Sequence, residues 1–202
     1  MRELTPFELD ALTEIINVGV GRSASSLSDI IGDRIVLKVP NISLVPIKEL
    51  PNILPDEQSD TFAAVSQGFT GEIRGSASLI FPPEGASSLV SALIGEDADP
   101  CGLDELRTGT LMEIGNIIIN GLIGTLCNML NTNLDFSLPE YCDLHSIADL
   151  YLPDGQEDGT EYVMLAEANL NLDNLKISGF LFIIFKIEEI EIIMNKIAAL
   201  LR

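Results

Sequence analysis

Two stretches of this chain repeat one another. ELDALTEIINVGVGRSASSLSDIIGDRIVLKVP begins at Glu8, and ELRTGTLMEIGNIIINGLIGTLCNMLNTNLDFSLP begins at Glu105. Sliding the first by 99 places sets Glu14 on Glu113, Ile15 on Ile114, Asn17 on Asn116, Leu27 on Leu126 and Pro40 on Pro139. A repeat this long, present twice, points to a duplicated unit and not to a solenoid. Whatever elements the first half forms, the second half should form again.

The elements can be read from periodicity and punctuation. In TPFE, Thr5 is placed to be an N-cap, Pro6 the first helical residue and Glu8 the partner of a capping box. A helix should follow to about Gly32, with Leu9, Leu12, Ile16 and Leu27 on its packing side. Gly19 and Gly21 weaken it and leave room for a close backbone approach. RIVLKVPNISLVPI is β-branched and extended, with Pro40 and Pro46 suited to a bulge or an edge. ELPNILPDEQSD reads as a loop. TFAAVSQGFTGEIRGSASLIF reads as two strands turning near IRGS, and PEGASSLVSALIG as a short helix.

After the joining segment GEDADPCG the order returns. It runs as a helix from about Asp104 to Met129, a strand in NLDFSLP, an irregular insert in EYCDLHSIADLYLPDGQEDGTE, a hairpin turning at Asp173 and Asn174, and a closing helix in IEEIEIIMNKIAALL. Each half is thus helix, three strands, helix. Neither has the core to stand comfortably alone. The expected fold is α/β (α+β): one continuous six-stranded, mostly antiparallel sheet with helices packed on it. The expected organisation is a single domain over 1–202, built from repeats at about 5–95 and 104–202.

Hydrophobic residues make up 47% of the chain and charged ones 21%, a folded composition. The net charge of −20 argues against nucleic acid and against an anionic membrane surface, both of which ask for Lys and Arg. The N-terminus MRELTPFELD has no signal-peptide pattern, and runs such as FLFIIF fall short of the ~20 residues of a membrane span, so a cytoplasmic protein without membrane insertion is expected. Cys101, Cys127 and Cys142 lack CxxC spacing and read as reduced packing thiols, with neither a metal site nor a catalytic pair with His145 marked locally.

The candidate chemistry lies on the two long helices. At 100° per residue Asp10, Glu14 and Asn17 fall at about 0°, 40° and −20°, one narrow polar stripe. Leu9, Leu12 and Ile16 centre roughly 130° away. One such helix could be an ordinary solvated face. In the second, Glu113 and Asn116 stand among Ile114, Ile117, Ile118 and Ile119. Solvation does not select Glu and Asn in that company, and an apolar surface around them suggests protein docking. The structural alternative is that Asn116 caps a neighbouring turn and Glu113 pairs with a cation such as Arg107. An amide offers donor and acceptor together and can hold a water in line with an electrophile. Phosphoryl transfer asks for such positioning, and a carboxylate three residues earlier shares the face and could grip a cation. The chain shows no phosphate-cradling Cys loop and no Walker lysine. In a phosphatase reading, the metal and the phosphoryl-aspartate must belong to a partner.

At these residues the sequence resembles the CheC/CheX/FliY family of bacterial chemotaxis phosphatases. The family motif is Asp or Ser, three residues, Glu, two residues, Asn, about 22 residues, Pro; Asp10–Glu14–Asn17–Pro40 fits it and Glu113–Asn116–Pro139 repeats its centre. The resemblance covers nearly the whole chain. It implies hydrolysis of the phospho-aspartate of a CheY-like response regulator. Asn17 and Asn116 would orient the attacking water, and Glu14 and Glu113 would contact the regulator's lysine. Asp10 would be a partner-binding residue at the rim, and Pro40 and Pro139 would be structural. It implies no cofactor of the chain's own, with Mg²⁺ on the regulator. The partner is then a phosphorylated CheY-like receiver, with CheD a weaker candidate because YCDLHSIADLYLPDG, where a CheD-docking helix would lie, is short and ends in Pro. A monomer is expected, since contact between repeats can replace a dimer interface. The second repeat departs at two places: Gly109 stands where the first has Asp10, and Asn120 where it has Gly21. The alternatives are a non-catalytic module that binds response regulators or switch proteins, and a structural domain with a solvated polar stripe.

Overall fold

The computed structural model of the chain describes residues 5–32, 34–40, 42–46, 49, 61–94, 105–145, 161–172 and 175–200. Helix α1 (Pro6–Ile31) opens on the capping box that its sequence announces. The Glu8 N–H donates to Thr5 Oγ1 at 3.3 Å, and the Thr5 N–H donates to Glu8 Oε2 at 2.9 Å. Pro6 has no N–H, so two of the three orphan N–H groups of this helix start are satisfied this way. The helix ends at Gly32, whose φ of 81° is left-handed and closes a bond from its N–H to the Ser28 carbonyl at 2.9 Å.

An edge strand follows in two pieces, β1 (Ile35–Lys38) and β2 (Ile42–Pro46), separated at Val39 and Pro40. The hairpin β3 (Phe62–Gly71) and β4 (Gly75–Phe81) turns over Glu72 to Arg74, and α2 (Pro83–Ile94) closes the first half. The second half repeats the order. It has α3 (Glu105–Leu130), then β5 (Leu134–Phe136) and β6 (Glu140–Leu144), then the hairpin β7 (Glu161–Leu172) and β8 (Leu175–Lys186), then α4 (Ile187–Leu200). The expected joining segment at 95–102 and the turn at Asp173 and Asn174 lie outside the described residues, as do 50–60 and 146–160 of the two loops.

All described strands form one antiparallel sheet in the order β1-β7-β8-β4-β3-β5, with β2 also pairing β7 and β6 also pairing β3. Six strand positions are filled as expected, but eight strands fill them, because each outer strand is broken beside its proline. Proline has no N–H to give a ladder and is tolerated at an edge. The reading of EYCDLHSIADLYLPDGQEDGTE as irregular from its first residue is corrected: Glu140 to Leu144 pair with β3 in the register Phe62↔Leu144 to Ser66↔Glu140. The edge of β3 supplied a partner that local sequence does not reveal.

The halves are exchanged. The edge strand of the first half pairs only with the second hairpin, and that of the second half only with the first hairpin. The two hairpins join through β4 and β8. The helices cover one sheet face, where Leu12, Ile16, Leu111, Ile118 and Ile193 share a core with Val65, Phe69, Leu79 and Phe185. Phe62, Ala64, Ile80, Val163 and Phe182 alternate with that set and form a second cluster.

Helices α1 and α3 run antiparallel against each other. A Cβ on Gly19 would lie 2.9 Å from Leu122 Cα, and Ser23 Oγ donates to the Ile118 carbonyl at 3.1 Å. Gly19 therefore serves the close approach expected of it, while Gly21 faces nothing within 4 Å. At 26 residues α3 is long and apolar enough in composition to match a membrane span. Its Leu111, Ile118, Ile119 and Leu122 are instead buried in the core, which accounts for the composition.

Candidate functional site

The packing of α1 and α3 decides which of their side chains face out. Leu12, Ile15 and Ile16 are buried, while Asp10 and Glu14 are exposed and Asn17 is half-buried. On α3, Leu111, Ile114, Ile118 and Ile119 are buried, Glu113 is exposed and Asn116 half-buried. The expectation of an apolar surface made by the neighbouring isoleucines is corrected here. Three of the four are core residues, and only Ile117 is even half-buried. The apolar side chains that do stand open near these faces include Phe7 and Leu106, at matching positions of α1 and α3, Val18 beside Asn17, and Leu138 beside the second proline, 84% exposed. Because the helices are antiparallel, the two Glu–Asn pairs lie toward opposite ends of the helix pair, on the order of 15 Å apart by helix rise.

The two asparagines have different partners. Asn17 Nδ2 donates to the Thr13 carbonyl at 3.0 Å and to the Val39 carbonyl at 2.8 Å, and Asn17 Oδ1 accepts the Val39 N–H at 3.0 Å. The amide thus replaces, at the break between β1 and β2, the ladder bonds that the strand loses there. Both Nδ2 hydrogens are spent. The fixed interval from Asn17 to Pro40 has a structural meaning: it sets the asparagine over the residue before the proline.

Asn116 makes no such pair with Leu138, the residue that matches Val39. Its Oδ1 accepts from Asn120 Nδ2 at 2.7 Å and, more weakly, from Gln67 Nε2 at 3.4 Å. Its Nδ2 has no partner among the described residues. The second break is held from β3 instead. Gln67 Nε2 donates to the Ser137 carbonyl at 2.7 Å, the Ser137 N–H to the Gly68 carbonyl at 2.9 Å, and the Gly68 N–H to Ser137 Oγ at 3.0 Å. Gln67 is a site residue that the sequence reading passed over. Its signal was there: along Ala63, Val65, Gln67 and Phe69 it is the polar member of a core-facing alternation.

The rim also differs between the repeats. Gly109 is exposed and faces open space, so the position that matches Asp10 carries no side chain. The two described thiols, Cys127 and Cys142, are not poised for nucleophilic work. Burial pushes the Cys142 thiol up, helped by the carboxylates of Asp143 and Glu140, and burial also pushes Cys127 up. His145 is exposed. Among the described residues no three His, Cys, Asp or Glu side chains converge to hold a metal ion.

Residues 63–154 match the family model of the chemotaxis phosphatase CheX. The chain is 28% identical over 136 residues to the CheY-P phosphatase CheC of Bacillus subtilis, a match covering 66% of this chain and 65% of that protein's own length. Its fold is similar to that of Thermotoga maritima FliY, with a TM-score of 0.79 at 20% identity over 98% of this chain and 99% of that one. It is also similar to CheX in the Borrelia burgdorferi CheX–CheY–BeF3–Mg complex, with a TM-score of 0.53 at 18% identity over 86% and 99%.

Proposed function

This chain belongs to the CheC/CheX/FliY family, and from that premise we propose that it ends a chemotaxis signal by hydrolysing the phospho-aspartate of a CheY-like response regulator. The observation that carries the reading is the state of Asn116. It is a half-buried amide on an otherwise packed helix, its oxygen held and its Nδ2 unclaimed among the described residues, one turn from the exposed carboxylate of Glu113.

The chemistry follows from those groups. A water oxygen attacks phosphorus, the bond from phosphorus to the aspartyl oxygen breaks, and the products are a free carboxylate and inorganic phosphate. Asn116 Nδ2 donates to the attacking water and holds it in line; it forms no covalent bond, and positioning supplies the rate. Glu113 contacts the regulator's lysine and anchors α3 over the acyl phosphate. Mg²⁺ is the regulator's, where it neutralises phosphoryl charge. Asp10 and Glu14 offer the corresponding surface on α1, with Asn17 able to serve only by leaving Val39. The chain works as a single domain of two repeats and as a monomer. CheD is kept as a weaker candidate partner.

The test is decay of a phosphorylated receiver from the same genome, with each site disabled separately. Added protein should quicken decay, Asn116→Ala should remove most of the effect, and Asn116→Ala with Asn17→Ala should remove all of it. No acceleration of any such receiver would sink the proposal. A second reading, a non-catalytic receiver-binding module, is favoured by the commitment of Asn17 to the backbone. It predicts binding that survives loss of both asparagines with no change in phosphate lifetime.

A further inference from the structure

Three side-chain amides meet at the second site, and their bonds are not those that would satisfy the most atoms. Asn116 Oδ1 takes N–H donors from both Asn120 and Gln67, while Gln67 Oε1 and Asn120 Oδ1 are buried without a partner among the described residues. Turning Asn116 over would put its Nδ2 against two N–H groups. Turning Asn120 with it would let Asn116 Nδ2 donate to Asn120 Oδ1 and relieve one orphan. Gln67 opposes that rearrangement. It is 3% exposed, and its Nε2 is tied at 2.7 Å to the Ser137 carbonyl, so reversing it would set oxygen against oxygen. Ser137 is in turn fastened to Gly68 by backbone and side chain. The polarity of a backbone carbonyl is therefore passed through Gln67 to Asn116.

The first site, around Asn17, lacks both donors. Gly21 matches Asn120, and Ala168 takes the register position in β7 that Gln67 takes in β3. There the asparagine lies on the backbone of Val39. We propose that Gln67 and Asn120 are positioning residues for the second site: they hold Asn116 Oδ1 inward, so that both Nδ2 hydrogens face the partner, and they keep the amide from collapsing onto the chain beside Pro139. This rests on the phosphatase reading for its consequence in rate, but not for its structural content.

Two measurements on the full chain separate these. In phospho-receiver decay, Asn120→Asp keeps the shape of the side chain and reverses its hydrogen-bonding sense, so it should draw Asn116 Nδ2 inward. Asn120→Ala removes one donor and leaves Gln67. The expected result is a kcat lowered about 100-fold by Asn120→Asp and about 10-fold by Asn120→Ala and by Gln67→Ala, with KM for the receiver within about twofold. A residue that only stabilised the helix would make Asp and Ala equivalent and move melting temperature instead. The second measurement is the side-chain amide resonance of Asn116, assigned by its loss in Asn116→Ala. Its protons should exchange quickly with water in the parent chain and become protected in Asn120→Asp and in the Gln67→Ala, Asn120→Ala double variant. Unchanged amide exchange in the folded variants overturns the proposal, as does unchanged kcat in an active parent. If the parent accelerates no receiver, the phosphatase reading falls and the amide resonance alone decides the positioning.

Discussion

The amide of Asn17 spends three hydrogen bonds on the chain's own backbone, two of them on Val39, a residue 1% exposed. Removing it should leave a buried N–H and a buried carbonyl without partners. Asn17→Ala is therefore expected to cost roughly 1–3 kcal/mol of stability, read as a lower denaturant midpoint at unchanged slope. Asn116→Ala, whose amide holds no backbone group, should cost less than Asn17→Ala in the same measurement. A reversed order would mean that the two asparagines are not divided in this way. Sequence could show that both stand three residues after a glutamate and 23 before a proline. It could not show which carbonyl or N–H each would meet, because the competing donors Gln67 and Asn120 come from a strand and from the next helical turn. Asn120 was visible as a departure between repeats, whereas Gln67 needed the register of β3 against β5 and β6 to place it near Ser137.

At the scale of elements, the helix pair gives two substitutions of opposite sign a few residues apart. Gly19→Ala would put a Cβ 2.9 Å from Leu122 Cα and 3.1 Å from Leu122 O, backbone atoms that cannot swing aside. It should push α1 and α3 apart and destabilise by roughly 1–3 kcal/mol. Gly21→Ala meets nothing within 4 Å, and by helix propensity should stabilise by about 1 kcal/mol. Thermal unfolding of the two variants beside the parent checks both, and a stabilising Gly19→Ala would contradict the close crossing. Helix starts and stops were legible because Thr5, Glu8 and Gly32 act on their own backbone neighbours. The strand β6 was not, because an edge segment is held by its partner more than by its own residues.

Across the whole molecule, exchange of the edge strands makes each half depend on the other. Without the second half, β1 and β2 lose β7, β3 loses β5 and β6, and β4 loses β8. The full chain is expected to unfold in one cooperative transition, with calorimetric and van't Hoff enthalpies equal. Residues 1–99 and 100–202, expressed separately, are expected to lack stable tertiary structure and to recover it on mixing. Two separate transitions, or one half folding alone as a monomer, would show that the repeats are independent.

Helix ends, glycine placement, strand-forming runs and the 99-residue duplication were determined by the sequence itself, since each depends on a residue's own backbone or on a period along the chain. The doubled Glu–Asn spacing belongs with them. Only the tertiary structure decided that the halves trade edge strands, and that equal spacing produces unequal sites. Hydrogen-bond polarity at a half-buried amide is set by whatever donors and acceptors the fold brings within about 3 Å of it. For Asn17 that was the backbone of Val39, and for Asn116 it was two other amides.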